Sequence, residues 1–469
     1  MLNEPSVCIE NMRFHLITFG VIGLFSAACV KLPQSQASRV PGSLQVPKRY
    51  DASKAPVMEV SSGLLSLFSD GKLRGYVNKA LAQNPDLKAS AASFEEAGFD
   101  LKSSRGALFP TLAGNFSARR ANTQGFSNSS VSTFTNYNPT LDASWEIDVW
   151  GRIRAGVTAA AKDRAAAAAD YAAARESIAA QTMQAYFNLL AAEKMLAVSK
   201  RRQASFQKTY DLVNRRFEAG VSDLGSADLA KTDLENARAQ EAERQNSRDQ
   251  AARSLAVLTG SYPSKKAAVG SWPSLKRNVR SGLPSDLLMK RPDIDAAYQR
   301  ILAADSRVKV AHRDLYPSFS LTGSGGRESN ILSDLADSNF SLWSIVGNIS
   351  APLYASGSLR SELGATNARA KQALANYQSI VLNAFREVED ALGSDRYLLN
   401  QESATARALL ASQSAEARIK RNYESGLVEI LTLLDTQRRS FDTEESLIAI
   451  KSQRYQNRVA LALALGKGL

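Results

Sequence analysis

The chain has 469 residues, a formal net charge of +12 and 44% hydrophobic residues. Its basic residues are interleaved with Asp and Glu, and no run of Lys and Arg reaches the length of a nucleic-acid patch, so we expect no nucleic-acid partner. The histidines are His15 and His312, and the cysteines are Cys8 and Cys29. These four residues are too few and too scattered to form a zinc, haem or thiol-redox centre. We therefore expect no metal, no cofactor and no enzymatic activity.

Residues 1–28 predict an export signal peptide. Arg13 and His15 precede an apolar run, residues 16–28, that is too short to cross a bilayer as a mature helix. Small residues stand directly before Cys29, as in bacterial lipoprotein signals, and predict lipidation of that cysteine. Ordinary cleavage after Ala28 fits the same small residues, so the two outcomes stay open.

Residues 29–72 are expected to form a lipid-anchored N-terminal strap. The stretch up to Ala55 is polar and carries Pro33, Pro41 and Pro47, with no periodic apolar face. Helical spacing then begins at Leu73 and continues to about Gly106.

Beyond Pro110 the pattern changes to alternation, which predicts strands near 111–120 and 139–148. From Gly151 the chain is rich in Ala, Arg, Glu, Lys and Gln and predicts a long helical hairpin, residues 151–259, that turns at Gly220. The first repeat is therefore placed at 73–260. A turn-rich linker is expected at 261–285.

The second part of the chain repeats the first. Residues identical at a spacing of 206 pair Gly151, Arg154, Gly220, Leu255, Ala256 and Gly260 with Gly357, Arg360, Gly426, Leu461, Ala462 and Gly466. Upstream the spacing is 207 and pairs Pro85, Asp86 and Pro110 with Pro292, Asp293 and Pro317. A second repeat is therefore expected at 286–469, with strands near 318–326 and 341–351 and a hairpin at 357–465.

The four predicted strands are long enough to cross a bilayer at a tilt, and each has one apolar face. Four strands cannot close a barrel, and open sheet edges are not tolerated in lipid. Several chains must therefore pool their strands. The alternative is a small soluble sheet packed on helices, in which Trp145 and Trp343 would be buried.

The sequence resembles the TolC-like outer membrane factor family, and within it the lipidated NodT-type branch of outer membrane efflux proteins. The residues that carry the resemblance are RPDI at 291–294, YP at 316–317, APL at 351–353 with Gly357, EDAL at 389–392, and the two turns RFEAG at 216–220 and NYESG at 422–426. They occur in order along nearly the whole mature chain.

The resemblance implies a mainly helical fold in which long antiparallel helical hairpins form an α-barrel and the strands of three chains form a 12-stranded β-barrel. It implies an outer membrane lipoprotein that extends into the periplasm, a passive duct coupled to a periplasmic adaptor protein and an inner-membrane pump, expected to be of the RND type. The alternatives are a duct for type I polypeptide secretion and a periplasmic coiled-coil scaffold without a pore.

The resemblance also implies functional residues at the hairpin tips. The expected periplasmic gate consists of Asp435, Thr432 and Tyr423. Val428 and Ser226 stand where some relatives have the arginine and aspartate that bind this tyrosine, so that locking network is expected to be altered. The residues expected to contact the adaptor are Gly220, Val221, Ser222, Gly426, Leu427 and Val428.

Overall fold

The structure is a computed structural model that describes residues 30–43, 46–47, 50, 52, 63, 68–124, 131–275, 284–337 and 341–466. The chain forms two compact units, Met1–Pro33 and Gln34–Leu469, and every element described below belongs to the second. The predicted signal peptide, the predicted lipidation site Cys29 and most of the strap between 44 and 67 lie outside the described residues.

The first half contains helices on both sides of its strand pair. Its elements are α1 (Val40–Ser43), α2 (Gly71–Gln83), α3 (Pro85–Gly106), β1 (Thr111–Gln124), β2 (Val131–Ile147), α4 (Arg152–Glu218) and α5 (Leu224–Leu258). The Asp70 carboxylate caps α2 by accepting from the Lys72 amide at 2.8 Å. Pro85 stands in the first turn of α3, where a missing amide costs nothing.

The second half repeats this order. Its elements are α6 (Pro284–Lys290), α7 (Pro292–Arg313), β3 (Ser318–Arg327), β4 (Ser341–Ser350), α8 (Ser358–Glu424) and α9 (Ile430–Ala464). Both α4 and α8 have 67 residues, which corresponds to about 100 Å each. The mainly helical architecture with four strands, predicted from the sequence, is confirmed.

The four strands form one antiparallel sheet in the order β1-β2-β3-β4. Thr111 lies opposite Ser144 in the first hairpin, and Ser318 lies opposite Ser350 in the second. The hairpins join through β2 and β3, where Asp142 lies opposite Ser324. The sheet therefore ends on one side at β1 and on the other at β4.

The strands β1 and β2 are longer than the sequence pattern predicted. The pattern predicted a first strand near 111–120 and a second near 139–148, with polar residues rich in Asn, Ser and Thr between them, yet β1 extends to Gln124 and β2 begins at Val131. Thr, Tyr and Phe in this stretch favour strands, and the Thr133 hydroxyl bonds the Asn122 side chain across the pair at 3.1 Å. Polarity alone was a poor indicator of a loop here.

The N-terminal strap is fastened to the second half. Its residues Gln36 and Ala37 each donate a backbone amide to the Asp305 carboxylate of α7 at 2.9 Å, and the Ser35 hydroxyl donates to the same group. Further along, Tyr50 is buried against α6, α7 and α8. Asp305 thus binds residues 35–37 of the strap to α7.

Asp305→Ala should release this part of the strap. The loss of two charge-assisted bonds lowers the local opening free energy by at least about 1.4 kcal/mol, so the Gln36 and Ala37 amides should exchange at least about tenfold faster. Hydrogen exchange with mass spectrometry measures this directly. Asp295→Ala, at an exposed position of the same helix, is the control and should leave both amides unchanged; equal exchange in the two variants would contradict the assignment.

Candidate functional site

Two tight turns close the helical hairpins at the end distant from the sheet. Gly220 and Gly426 have φ of +70° and +75°, a left-handed conformation that favours glycine. In each turn the amide after the glycine donates to a carbonyl five residues earlier, Val221 to Arg216 and Leu427 to Asn422, both at 2.8 Å. The sequence repeat has thus produced the same helix-ending turn twice.

The helices that leave the two turns begin differently. Asp223 caps α5, since its carboxylate accepts from the Ser226 amide at 2.9 Å and from the Ser226 hydroxyl at 2.7 Å. The Ser226 hydroxyl, followed by the backbone amide, lowers the pKa of the Asp223 carboxyl below its ordinary value. Glu429, before α9, makes no side-chain cap. The first turn is therefore the better fixed of the two.

One side chain connects the two turns. Arg216, at the end of α4, donates to the Tyr423 carbonyl of α8 at 2.8 Å, and its guanidinium lies 4.9 Å from the centre of the Tyr423 ring. Tyr423 is buried in a cluster that draws residues from α4, α5, α8 and α9. The predicted gate tyrosine thus binds an arginine, but one from the neighbouring hairpin rather than from position 428.

The other two predicted gate residues lie on one exposed side of α9. Thr432 is exposed, and the Asp435 carboxylate is paired with Arg439 one turn later at 2.8 Å. The Arg439 and Asp435 side chains are 76% and 49% exposed. The chain thus presents an opposite-charge pair at this level of α9 rather than a bare carboxylate.

The predicted adaptor-contacting turns carry apolar side chains that are largely exposed. Val221 and Leu427 are 68% and 73% exposed. Leu224 and Leu431, the first residue of α5 and the second of α9, are also exposed. Ser222 and Val428 are half-buried. Both hairpins therefore end in exposed apolar side chains.

Polar contacts join the two hairpins above the tips. The sequence patterns did not predict them. Gln437 of α9 is 1% exposed and its amide bonds the Thr209 hydroxyl of α4 at 3.0 Å. Ion pairs of α9 with the first hairpin are Arg201 with Glu444, Arg202 with Asp442, Arg244 with Glu445 and Arg438 with Asp233. Burial raises the pKa of the Asp233 carboxyl, and Arg438 and Arg202 offset part of the rise.

The sheet presents one apolar face that is open in the protomer. Its exposed side chains are Leu112, Phe116, Leu141, Trp343, Ile345 and Ile349. Trp343 is 79% exposed, so the alternative in which both tryptophans fill a soluble core is wrong for this residue. Trp145 is half-buried and its indole donates to the Leu108 carbonyl at 3.0 Å.

The opposite face of the sheet is mainly polar, although Phe134, Leu342 and Val346 also lie on it. At its centre the Asp142 carboxylate accepts from Asn115 at 2.7 Å, Thr140 at 3.0 Å and Ser324 at 2.5 Å, which ties β1, β2 and β3 together. A sheet with one exposed apolar face and one hydrogen-bonded polar face has the patterning of a membrane barrel wall.

The described ranges lack two other kinds of feature. No group of three or more His, Cys, Asp or Glu residues there could hold a metal ion. None of the described helices is both long and apolar enough to span a membrane.

Comparison with known proteins gives one family. The family model described as Outer membrane efflux protein matches the chain twice, at residues 76–261 and 283–467. Cation efflux system protein CusC of Escherichia coli O6:H1 is 28% identical, over 95% of this chain and 97% of that protein. The probable outer membrane lipoprotein SilC of Salmonella typhimurium is 26% identical, over 94% of this chain and 96% of that protein.

A solved structure agrees in fold. The Campylobacter jejuni CmeC outer membrane channel superposes with a TM-score of 0.83 at 26% sequence identity. The match covers 91% of this chain and 94% of that one.

Proposed function

Since this chain belongs to the outer membrane efflux protein family and is the outer membrane channel component of an efflux system, we propose that three copies pool their strands into one barrel. The sheet carries this proposal. Within the described part of the chain, its four strands leave one edge of β1 and one edge of β4 unpaired. An apolar face with unpaired edges is stable in lipid only when the sheet is closed. Three copies supply twelve strands, and the helical hairpins continue the duct into the periplasm.

The duct is proposed to be passive, with no bond made or broken in it. An inner-membrane pump, of the RND type, drives transport and a periplasmic adaptor connects the pump to the hairpin tips. The support for an adaptor site is the exposed apolar pair Val221 and Leu427 at the two turns. The turns at Gly220 and Gly426 place these two residues at the ends of the hairpins. Ser222 and Val428 are the other residues of the proposed adaptor-binding surface.

Photo-crosslinking in cells tests the adaptor proposal. A probe that replaces Leu427 should capture a periplasmic adaptor, identified by mass spectrometry of the product. The matched control is a probe at Leu410, equally apolar and 67% exposed but about four turns from the tip of α8. Capture of the same protein from both positions, or from neither in a well-expressed sample, would count against tip docking.

The gate is proposed to lie at Tyr423, Thr432 and Asp435. Tyr423 is held by Arg216, and the Asp435 charge is offset by Arg439 in the same helix. Three Asp435–Arg439 pairs around a threefold mouth would give weak rather than strong cation preference, because the two rings of charge oppose each other.

Arg439→Gln should raise cation selectivity, because it leaves three carboxylates without a counter-charge. We expect the K⁺ to Cl⁻ permeability ratio to rise about twofold, as for an acidic ring in a pore, and Asp435→Asn to lower it. Reversal potentials in planar bilayers under a KCl gradient measure the ratio. Arg421→Gln, the same charge change at an exposed position of α8, is the control; an equal shift there would refute the local effect.

We propose lipid anchoring at Cys29 because the chain between Cys29 and the bound part of the strap is long enough to reach the membrane. Asp305 fixes the strap about 12 Å before the end of α7 at Arg313, and β3 starts at Ser318. Gln34 is five residues after Cys29, and five extended steps of the chain span at most about 17 Å. An acyl group on Cys29 can therefore reach the membrane while the strap stays fastened.

Cys29→Ala should remove incorporated palmitate and leave most of the trimer intact, because the barrel supplies its own membrane anchoring. Metabolic labelling and the mass of the N-terminal peptide measure the lipid, and mobility of unheated samples on a gel measures the trimer. Cys8→Ala is the control and should keep the label. A wild-type N-terminal peptide with the bare mass would refute lipidation.

A further inference from the structure

The apolar face of the sheet becomes polar before its strands end. In the proposed barrel, on which this inference rests, this outward face is turned to lipid. Starting from the helices, the outward positions of all four strands are aliphatic, aromatic, proline or glycine up to Ala118, Tyr137, Gly325 and Trp343. The next outward positions are the boundary residues, Arg120, Thr135, Arg327 and Ser341.

The boundary residues of each hairpin face each other. Arg120 lies opposite Thr135 in the first hairpin, and Arg327 lies opposite Ser341 in the second. Both strands of a hairpin therefore change from apolar to polar at the same register, which marks a level of the wall rather than a property of one strand. Beyond this level the outward face stays polar, since the Thr133 hydroxyl bonds the Asn122 side chain at 3.1 Å.

The height of the apolar part fits the hydrocarbon layer of a membrane. On β2 it runs from Ile147 to Tyr137, ten residues apart, which is about 33 Å along the strand. At a strand tilt of about 40° this is about 25 Å across the bilayer, the height of the apolar band in outer membrane barrels. The helices leave from the opposite ends of the strands, so the boundary residues lie at the headgroups of the outer leaflet in the proposed barrel.

The charges on the outward face have one sign. Among the described residues of the four strands, the charged residues on this face are Arg120 and Arg327, both at the boundary. The acidic residues Asp142 and Glu146 lie on the opposite face. The outward face is therefore uncharged across its apolar part and positive at its outer limit.

Arg120 is the more accessible of the two arginines. It is exposed, whereas Arg327 is half-buried and donates from Nη1 to the Leu335 carbonyl. Arg119 precedes Arg120 but points to the opposite face, where its guanidinium lies 5.5 Å from the centre of the Phe134 ring. Two successive arginines thus serve different faces of the sheet.

We propose that Arg120, supported by Arg327, binds the phosphate of a phosphorylated glycolipid in the outer leaflet. A guanidinium donates two parallel N–H bonds to a phosphate, and its methylenes can stay against the lipid chains while the charged group reaches the headgroups. Asn122 and Thr133, just beyond the boundary, present an amide and a hydroxyl at the level of the headgroup sugars. The site lies on the outside of the barrel and is separate from the duct.

Native mass spectrometry of the detergent-released protein, titrated with diphosphoryl lipid A, tests the site. Arg120→Gln should raise the Kd of this lipid about fivefold, the effect of one arginine near an anionic lipid surface. Arg120→Lys keeps the charge and should recover most of the affinity. Arg119→Gln is the matched control: it removes the same charge one residue away but on the opposite face, and its Kd should stay within about twofold of the wild type.

A second titration of the wild type uses digalactosyl diacylglycerol, a glycolipid without phosphate. It should bind more weakly than diphosphoryl lipid A, and equally to the wild type and Arg120→Gln. An unchanged Kd in Arg120→Gln, an equal rise in Arg119→Gln, or equal wild-type affinity for the two lipids would overturn the phosphate site, while trimers in the same spectra would leave the barrel standing. Spectra that contain monomers alone would overturn both.

Discussion

Gly426→Val is expected to uncouple the channel from its adaptor without loss of the barrel. The φ of +75° at this position is disfavoured for a side chain by about 1 to 3 kcal/mol, and more for a β-branched one, so the turn must rearrange and Leu427 must move. We expect cross-linking from the Leu427 probe to fall at least about tenfold, since 1.4 kcal/mol is a tenfold change. The trimer, measured by mobility of unheated samples, should persist.

Gly393→Val is the matched control. Gly393 lies inside α8, outside the left-handed region, and a Cβ there would meet nothing within 4 Å. Valine is a better helix former than glycine, so this variant should cross-link as the wild type does. Equal losses in the two variants would show that the effect is not specific to the turn.

Ile345→Arg should prevent stable insertion of the barrel. Ile345 lies at the middle of β4 on the apolar face and is 69% exposed in the protomer. An arginine facing lipid near the midplane costs about 2 to 4 kcal/mol, and a trimer contains three copies. We expect little or no heat-resistant trimer in the outer membrane fraction.

Ser344→Arg introduces the same charge one residue away, on the polar face. It should leave the trimer largely intact, because this face lines the water-filled interior of the proposed barrel. Measurement of trimer in urea-washed outer membranes compares the two directly. If Ser344→Arg were the more damaging variant, the assignment of the two faces would be reversed.

The long helices and the strand faces could be predicted from sequence because both rest on local composition. A proline-free, alanine-rich run predicts a helix such as α4, and alternation predicted the exposed face that includes Trp343. The extended ends of β1 and β2 were missed, because the polar residues there also pair well in strands.

Contacts between distant parts of the chain could not be predicted. Arg216 and Tyr423 are 207 residues apart, and nothing near either residue identifies the other. The same holds for Gln437 and Thr209, whose bond depends on how α9 packs against α4. The Asp435 and Arg439 pair is different: its spacing of four residues on one helix was visible in the sequence.

Three copies of this chain are proposed to form a closed duct through the outer membrane. Cryo-electron microscopy of the protein in lipid nanodiscs tests it most directly. We predict three copies around one axis, twelve strands in a closed ladder, lipid density around Ile345, and a continuous lumen down to the hairpin tips. A particle with the sheet outside the lipid disc, or with a single copy and open sheet edges, would contradict the account.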